Sequence, residues 1–136
     1  MSTQIEATGD PVALVRAYLA AMERRDLDAA RAMLAPGFHM IFPGNAQFDS
    51  LDALVASAKG RYRSANKTFE QCDVVPQADG SAVVYCLGTL FGELNSGAPY
   101  AGIRYIDRFT VRGGKLVDQM VWNDMSAVLG DKLKPL

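Results

Sequence analysis

The sequence holds one histidine, one tryptophan and two cysteines in 136 residues. The histidine, His39, has no cysteine or carboxylate partners at ligand spacing, so no metal cluster is legible. Cys72 and Cys86 are too few for a disulfide framework. Both stand in apolar, strand-like runs and read as buried thiols. An excess of one charge is also missing, because 14 Lys and Arg stand against 15 Asp and Glu. That leaves no basic face for nucleic acid or for an anionic membrane. No run approaches the ~20 apolar residues that cross a bilayer. The opening MSTQIEATGD has neither the basic nor the apolar region of a secretory signal. The Asn66-Lys67-Thr68 sequon is set aside on that ground, and a cytoplasmic location is expected. There is no G-x-S-x-G and no recognisable Ser/His/Asp set. Gly113-Gly114 reads as a hairpin turn rather than a phosphate loop. No cofactor is expected.

What is present suits one globular domain spanning residues 1–136, with apolar residues at 49% and charged residues at 21%. Asp10 and Pro11 open a helix as N-cap and first helical residue. Its apolar stripe is Leu14, Val15, Tyr18, Leu19 and Met22. A second helix starts after Asp26, carries Leu27, Ala30, Met33 and Leu34, and stops before Pro36-Gly37. Phe38–Phe42 is predicted as a strand, with Phe38, Met40 and Phe42 on one face and His39 and Ile41 on the other. A third helix is predicted from about Leu51 to Tyr62, capped by Ser50. Strands follow over Thr68–Val75, Ser81–Leu94, Tyr100–Val111 and Leu116–Asn123. The tail can close with a short helical turn. Helices first and strands after predict an α+β fold, with the helices on one face of an antiparallel sheet.

One residue breaks the pattern. Ile103, Tyr105, Asp107, Phe109 and Val111 share a strand face that is apolar except for Asp107, so that face is predicted to turn inward. A carboxyl there is costly unless bonded, paired or neutral, and burial raises its pKa. A neutral acid in a pocket donates a hydrogen bond to a ligand oxygen. An aspartate satisfied by a neighbour such as Tyr18 or Gln119 is the other reading. Tyr18 lies on the buried stripe of the first helix, where its hydroxyl needs a partner. On the last strand, Val117, Gln119, Val121 and Asn123 are favoured as the inner set. A slip of one residue exchanges them for the set containing Trp122. His39 alternates outward and is read as a surface or interface residue.

Helix Val15-Arg16-Ala17-Tyr18-Leu19, then Arg25-Asp26-Leu27-Asp28-Ala29, then a strand ending in Phe42-Pro43-Gly44, form an ordered series. It closes with Tyr105-Ile106-Asp107-Arg108-Phe109, Gly114-Lys115-Leu116-Val117-Asp118-Gln119 and Trp122-Asn123-Asp124. From about Pro11 to Gly130 the chain resembles the nuclear-transport-factor-2-like superfamily, and within it the SnoaL-like group. The resemblance implies a cone-shaped cystatin-like fold, three N-terminal helices packed on a curved, mainly antiparallel sheet, with an apolar pocket inside. Ketosteroid isomerases and polyketide cyclases belong to that superfamily. In the isomerases a tyrosine and a protonated aspartate hold the substrate oxygen, and Tyr18 and Asp107 fall at the matching positions. The isomerase base would precede Pro43, where this chain has Phe42. The cyclases often carry a histidine where this chain has Gln119, which cannot take a proton. By resemblance, Asp107 and Tyr18 polarise a ligand oxygen. Gln119, Asn123, Tyr105, Phe42, Met40, Phe38 and Trp122 would line the site.

Three functions stay open at this point. One is an isomerase, cyclase or dehydratase acting on a small hydrophobic carbonyl or phenol. Another is a binder of the same ligand without turnover. The third is an interaction module that forms a homodimer through the outer sheet face, around Arg104, Ile106, Arg108, Met120 and Trp122.

Overall fold

The computed structural model describes residues 10–135, and the opening segment read above for a leader lies mostly outside them. Helix α1 (Pro11–Glu23) begins as the sequence predicts, with the Asp10 carboxylate accepting from the backbone N–H groups of Val12 and Ala13. The short α2 (Leu27–Arg31) is capped by Asp26, and α3 (Leu51–Lys59) by Ser50. Each cap satisfies a donor that the first helical turn leaves free. A fourth helix, α4 (Met125–Leu129), closes the tail. Among the described residues no helix is long and apolar enough to cross a membrane.

The strands are β1 (Leu34–Phe42), β2 (Ala46–Phe48), β3 (Tyr62–Lys67), β4 (Gln71–Pro76), β5 (Ala82–Leu94), β6 (Pro99–Arg112) and β7 (Lys115–Asn123). They form one seven-stranded sheet in the order β2-β1-β7-β6-β5-β3, with β4 also pairing with β5. The β1–β7 pair is parallel and the others are antiparallel. The α+β cone expected from the sequence is therefore the fold, with a mixed sheet.

Strand β1 begins at Leu34 rather than Phe38, β4 begins at Gln71 rather than Thr68, and three further differences from the sequence reading change the elements themselves. Helix α2 ends before Met33, because Leu34 already pairs with Leu116 on β7. Helix α3 stops at Lys59, and Tyr62–Lys67 becomes a strand on the edge of β5 instead of a final helical turn. Residues Ala46–Phe48 fold back on β1 as β2, where a loop was expected. Both missed strands are short and largely polar, so neither shows the two-residue alternation that betrays a strand.

The core lies between α1 and the concave sheet face. Val15, Tyr18, Leu19 and Met22 of α1 meet Val84, Cys86, Ile103, Tyr105 and Phe109 of the sheet. Two glycines allow the sheet to curl around this core. A Cβ on Gly88 would lie 2.3 Å from the Thr68 carbonyl oxygen, and one on Gly92 would lie 2.2 Å from that of Ser64. Only a residue without a side chain lets the edge strand fold over so closely. Each carbonyl is then held from β6: the Tyr105 hydroxyl donates to Thr68 O at 2.6 Å, and the Tyr100 hydroxyl to Ser64 O at 2.7 Å. Gly88 faces Tyr105 and Gly92 faces Tyr100 across the β5–β6 ladder, so the same device occurs twice.

Candidate functional site

Alternation along β6 places Ile103, Tyr105, Asp107, Phe109 and Val111 inward, and all five are buried. Asp107 has 0% exposure. It occupies the middle of a cross-strand row, Cys72–Cys86–Asp107–Val121, running over β4, β5, β6 and β7. The next row toward the other end of β6 joins Val84, Phe109, Gln119 and Met40. Tyr18 lies over that row from α1. Its ring meets Phe38 and Phe109 edge to face at 6.0 and 5.9 Å, and its hydroxyl is 4.0 Å from the Met40 sulfur. A thioether is a weak acceptor, so the Tyr18 proton remains available to a better one. Burial, and then the Asp107 charge, push the Tyr18 pKa up, which keeps it a donor.

Asp107 is not alone. The Lys67 ammonium, 19% exposed, stands 3.4 Å from one carboxylate oxygen and 5.2 Å from the centre of the Tyr105 ring. The two groups are close but poorly aligned, since neither Asp107 oxygen receives a hydrogen bond. Burial pushes the Asp107 pKa up, and Lys67 opposes that shift without cancelling it. The sequence reading missed Lys67 because it lies on the unrecognised strand β3. The available signal was weak: Ala65, Lys67 and Phe69 recur at a spacing of two, but Phe69 lies beyond the end of β3.

Tyr18, Lys67 and Gln119 line one cavity of about 80 Å³, together with Met22, Leu54, Val55, Ala58, Tyr62, Ala65 and Phe42. Exposed Glu23 and Arg25 stand at its rim. Gln119 is 3% exposed and its side-chain oxygen has no hydrogen-bond partner. Asp107 does not line the cavity; Lys67 connects the two. At ~30 Å³ per water, such a volume holds two or three waters, well short of the ~300 Å³ of an open drug-sized pocket.

Other expected site residues are placed differently. Phe42 reaches the cavity wall and meets Phe48 edge to face, while Phe38 and Met40 pack behind Tyr18. Tyr105 faces inward, but its hydroxyl is committed to Thr68. Asn123 turns its side-chain oxygen to the Met125 N–H and serves the start of α4 rather than the cavity. Trp122 stands on the outer face, 52% exposed, opposite Ile106. The inner set of β7 is also corrected in part: a bulge opposite Thr110 and Val111 turns Leu116 inward in place of Val117, while Gln119 and Val121 face in as expected. His39 lies away from the cavity, with its ring nitrogens bonded to Asp49 and Gln47, and these bonds raise its pKa.

Residues 15–119 match the family model of the SnoaL-like domain. No curated protein matches the chain. Among solved structures, a nuclear-transport-factor-2-like protein of Burkholderia thailandensis is 19% identical, with a TM-score of 0.70 over 92% of this chain and 98% of its own. A proposed polyketide cyclase of Xanthomonas campestris pv. campestris is 17% identical, with a TM-score of 0.64 over 89% and 95%. TerC, co-crystallised with polyporic acid, is 16% identical, with a TM-score of 0.65 over 85% and 92%. At these identities the likeness is one of fold.

Proposed function

Because the chain belongs to the SnoaL-like domain family, we propose that it binds a small hydrophobic molecule through a carbonyl or phenolic oxygen inside the cone. Tyr18 and Lys67 supply the donors, and Gln119 orients the ligand. Asp107 acts through Lys67, holding the ammonium at the cavity wall, instead of meeting the ligand itself. The observation that carries this reading is the convergence of Tyr18, Lys67 and Gln119 on one cavity walled mainly by apolar side chains, with the Gln119 oxygen unpartnered there. The polyporic acid co-crystallised with TerC supports a small-molecule ligand. The cavity as it stands is too small for an aromatic ring with substituents, so binding requires α3 and the Phe42 side chain to move outward.

Donors fixed in a dry pocket stabilise a developing oxyanion by ~3–4 kcal/mol each. Isomerisation, cyclisation and dehydration all pass through such a charge. They also need a proton acceptor, a part that Lys67 cannot play while its ammonium is a donor. Binding without turnover uses the same groups and is the alternative. Thermal unfolding with a panel of phenols, quinones and aromatic ketones tests the pocket. A ligand at a hundred times its Kd adds ~2.7 kcal/mol, a rise of ~4 °C or more for a domain of this size. Tyr18→Phe and Lys67→Met should each shrink that rise. If no compound shifts the wild type, the ligand reading fails. If one does, turnover of that compound separates enzyme from binder.

The outer face supports a further part of the proposal, a homodimer. Ile106 and Trp122 lie side by side there, 42% and 52% exposed, with Arg104 and Arg108 beside them. An apolar centre with a charged margin suits a symmetric contact.

A further inference from the structure

Cys72 and Cys86 face each other directly across the β4–β5 ladder, and their sulfurs are 3.1 Å apart. Both are free thiols. Directly opposed residues on antiparallel strands have Cα separations inside the 4.4–6.8 Å range of disulfides. Joining these two sulfurs therefore needs rotation of the side chains and little movement of the backbone. The two thiols also differ in access. Cys86 is sealed in the core, and burial together with its neighbour raises its pKa. Cys72 is only half buried, on a strand that pairs with β5 alone. An oxidant can meet Cys72 while Cys86 waits within reach.

We propose that Cys72 and Cys86 form a reversible intramolecular disulfide, with Cys72 as the attacking thiol and Cys86 as the resolving one. The co-reactant class is a low-molecular-weight disulfide such as glutathione disulfide. The Cys72 sulfur attacks one of its sulfurs, the S–S bond breaks, and one glutathione leaves with the Cys72 proton. The Cys86 sulfur then attacks the Cys72 sulfur of the mixed disulfide. The second glutathione leaves with the Cys86 proton. Two protein thiols are oxidised by two electrons, and one glutathione disulfide is reduced to two thiols. The bond closes a short chain loop, the two cysteines being 14 positions apart, and ties the edge strand β4 to β5. Cys86 also stands directly opposite Asp107 on β6, so the bond fixes the neighbour of the buried carboxyl.

The test equilibrates the whole chain in glutathione redox buffers and reads acid-quenched samples by mass. Wild type should lose two hydrogens, run as a monomer on a non-reducing gel, and recover both thiols with dithiothreitol. Cys86→Ser should stop at the stage that carries one glutathione, because nothing resolves it. Oxidised wild type should melt several degrees higher than reduced wild type, as expected for a short cross-linked loop. Three outcomes overturn the proposal: both thiols stay alkylatable in the most oxidising buffer, wild type retains a glutathione, or the disulfide joins two chains. Because the decisive readings come from wild type, a poorly folding variant does not blunt them.

Discussion

Asp107 places an ionisable group where water does not reach, so its protonation is linked to folding. Burial raises its folded-state pKa above the ordinary 3.8, and Lys67 only partly offsets the rise. Relative to the unfolded chain, folding therefore favours protonation of this carboxyl. The stability from this preference is complete below the ordinary value and is lost as pH climbs through the folded-state value. Asp107→Asn cannot ionise and removes that dependence. The expected result is that wild type loses stability relative to Asp107→Asn as pH rises from ~4, read by urea unfolding over a pH series. A relative gain with pH would mean instead that Lys67 holds the carboxylate ionised. That Asp107 points inward was legible from the alternation of β6. Its partner was not, because Lys67 comes from a strand with no apolar signature. Asn123 was misplaced for a related reason: sequence gives the side of a strand but not the helix start that captures the side chain.

At the scale of elements, the three helix caps were readable because they are local, each a side chain bonding an N–H within three residues. The bulge in β7 and the edge strands β2 and β3 were hidden, since each is defined by a partner distant in sequence. The Gly88–Tyr105 and Gly92–Tyr100 pairs belong to the same hidden class. Gly88→Ala tests how much the edge-strand fold-over depends on them. The new methyl meets backbone rather than a yielding side chain, so destabilisation of about 2–4 kcal/mol is expected by denaturant unfolding. Gly102→Ala serves as the comparison, because a Cβ there meets nothing within 4 Å and only its positive φ is disturbed. Equal losses at the two sites would show that the close approach at Gly88 relaxes easily.

For the whole molecule, the outer sheet face yields a concentration-dependent prediction. Trp122 is the sole tryptophan, so its emission reports on that face alone. Emission should shift to the red on dilution as the proposed dimer parts, and Trp122→Lys should sediment as a monomer at every concentration. A wild type that sediments as a monomer throughout would remove the dimer from the account. The order of strands carries a different consequence, for how the chain comes to be folded. β7 is the final strand of the sheet, yet it sits between β1 and β6. During synthesis the edge of β1 opposite β2 has no partner until residues 115–123 leave the ribosome. Pairing of β1 with β7 closes a loop of most of the chain, and such distant contacts form slowly. The nascent protein therefore keeps an open strand edge in reach of other chains. A stalled ribosome carrying the chain as far as Gly114 should hold it protease-sensitive, and release of β7 should be the event that makes it resistant.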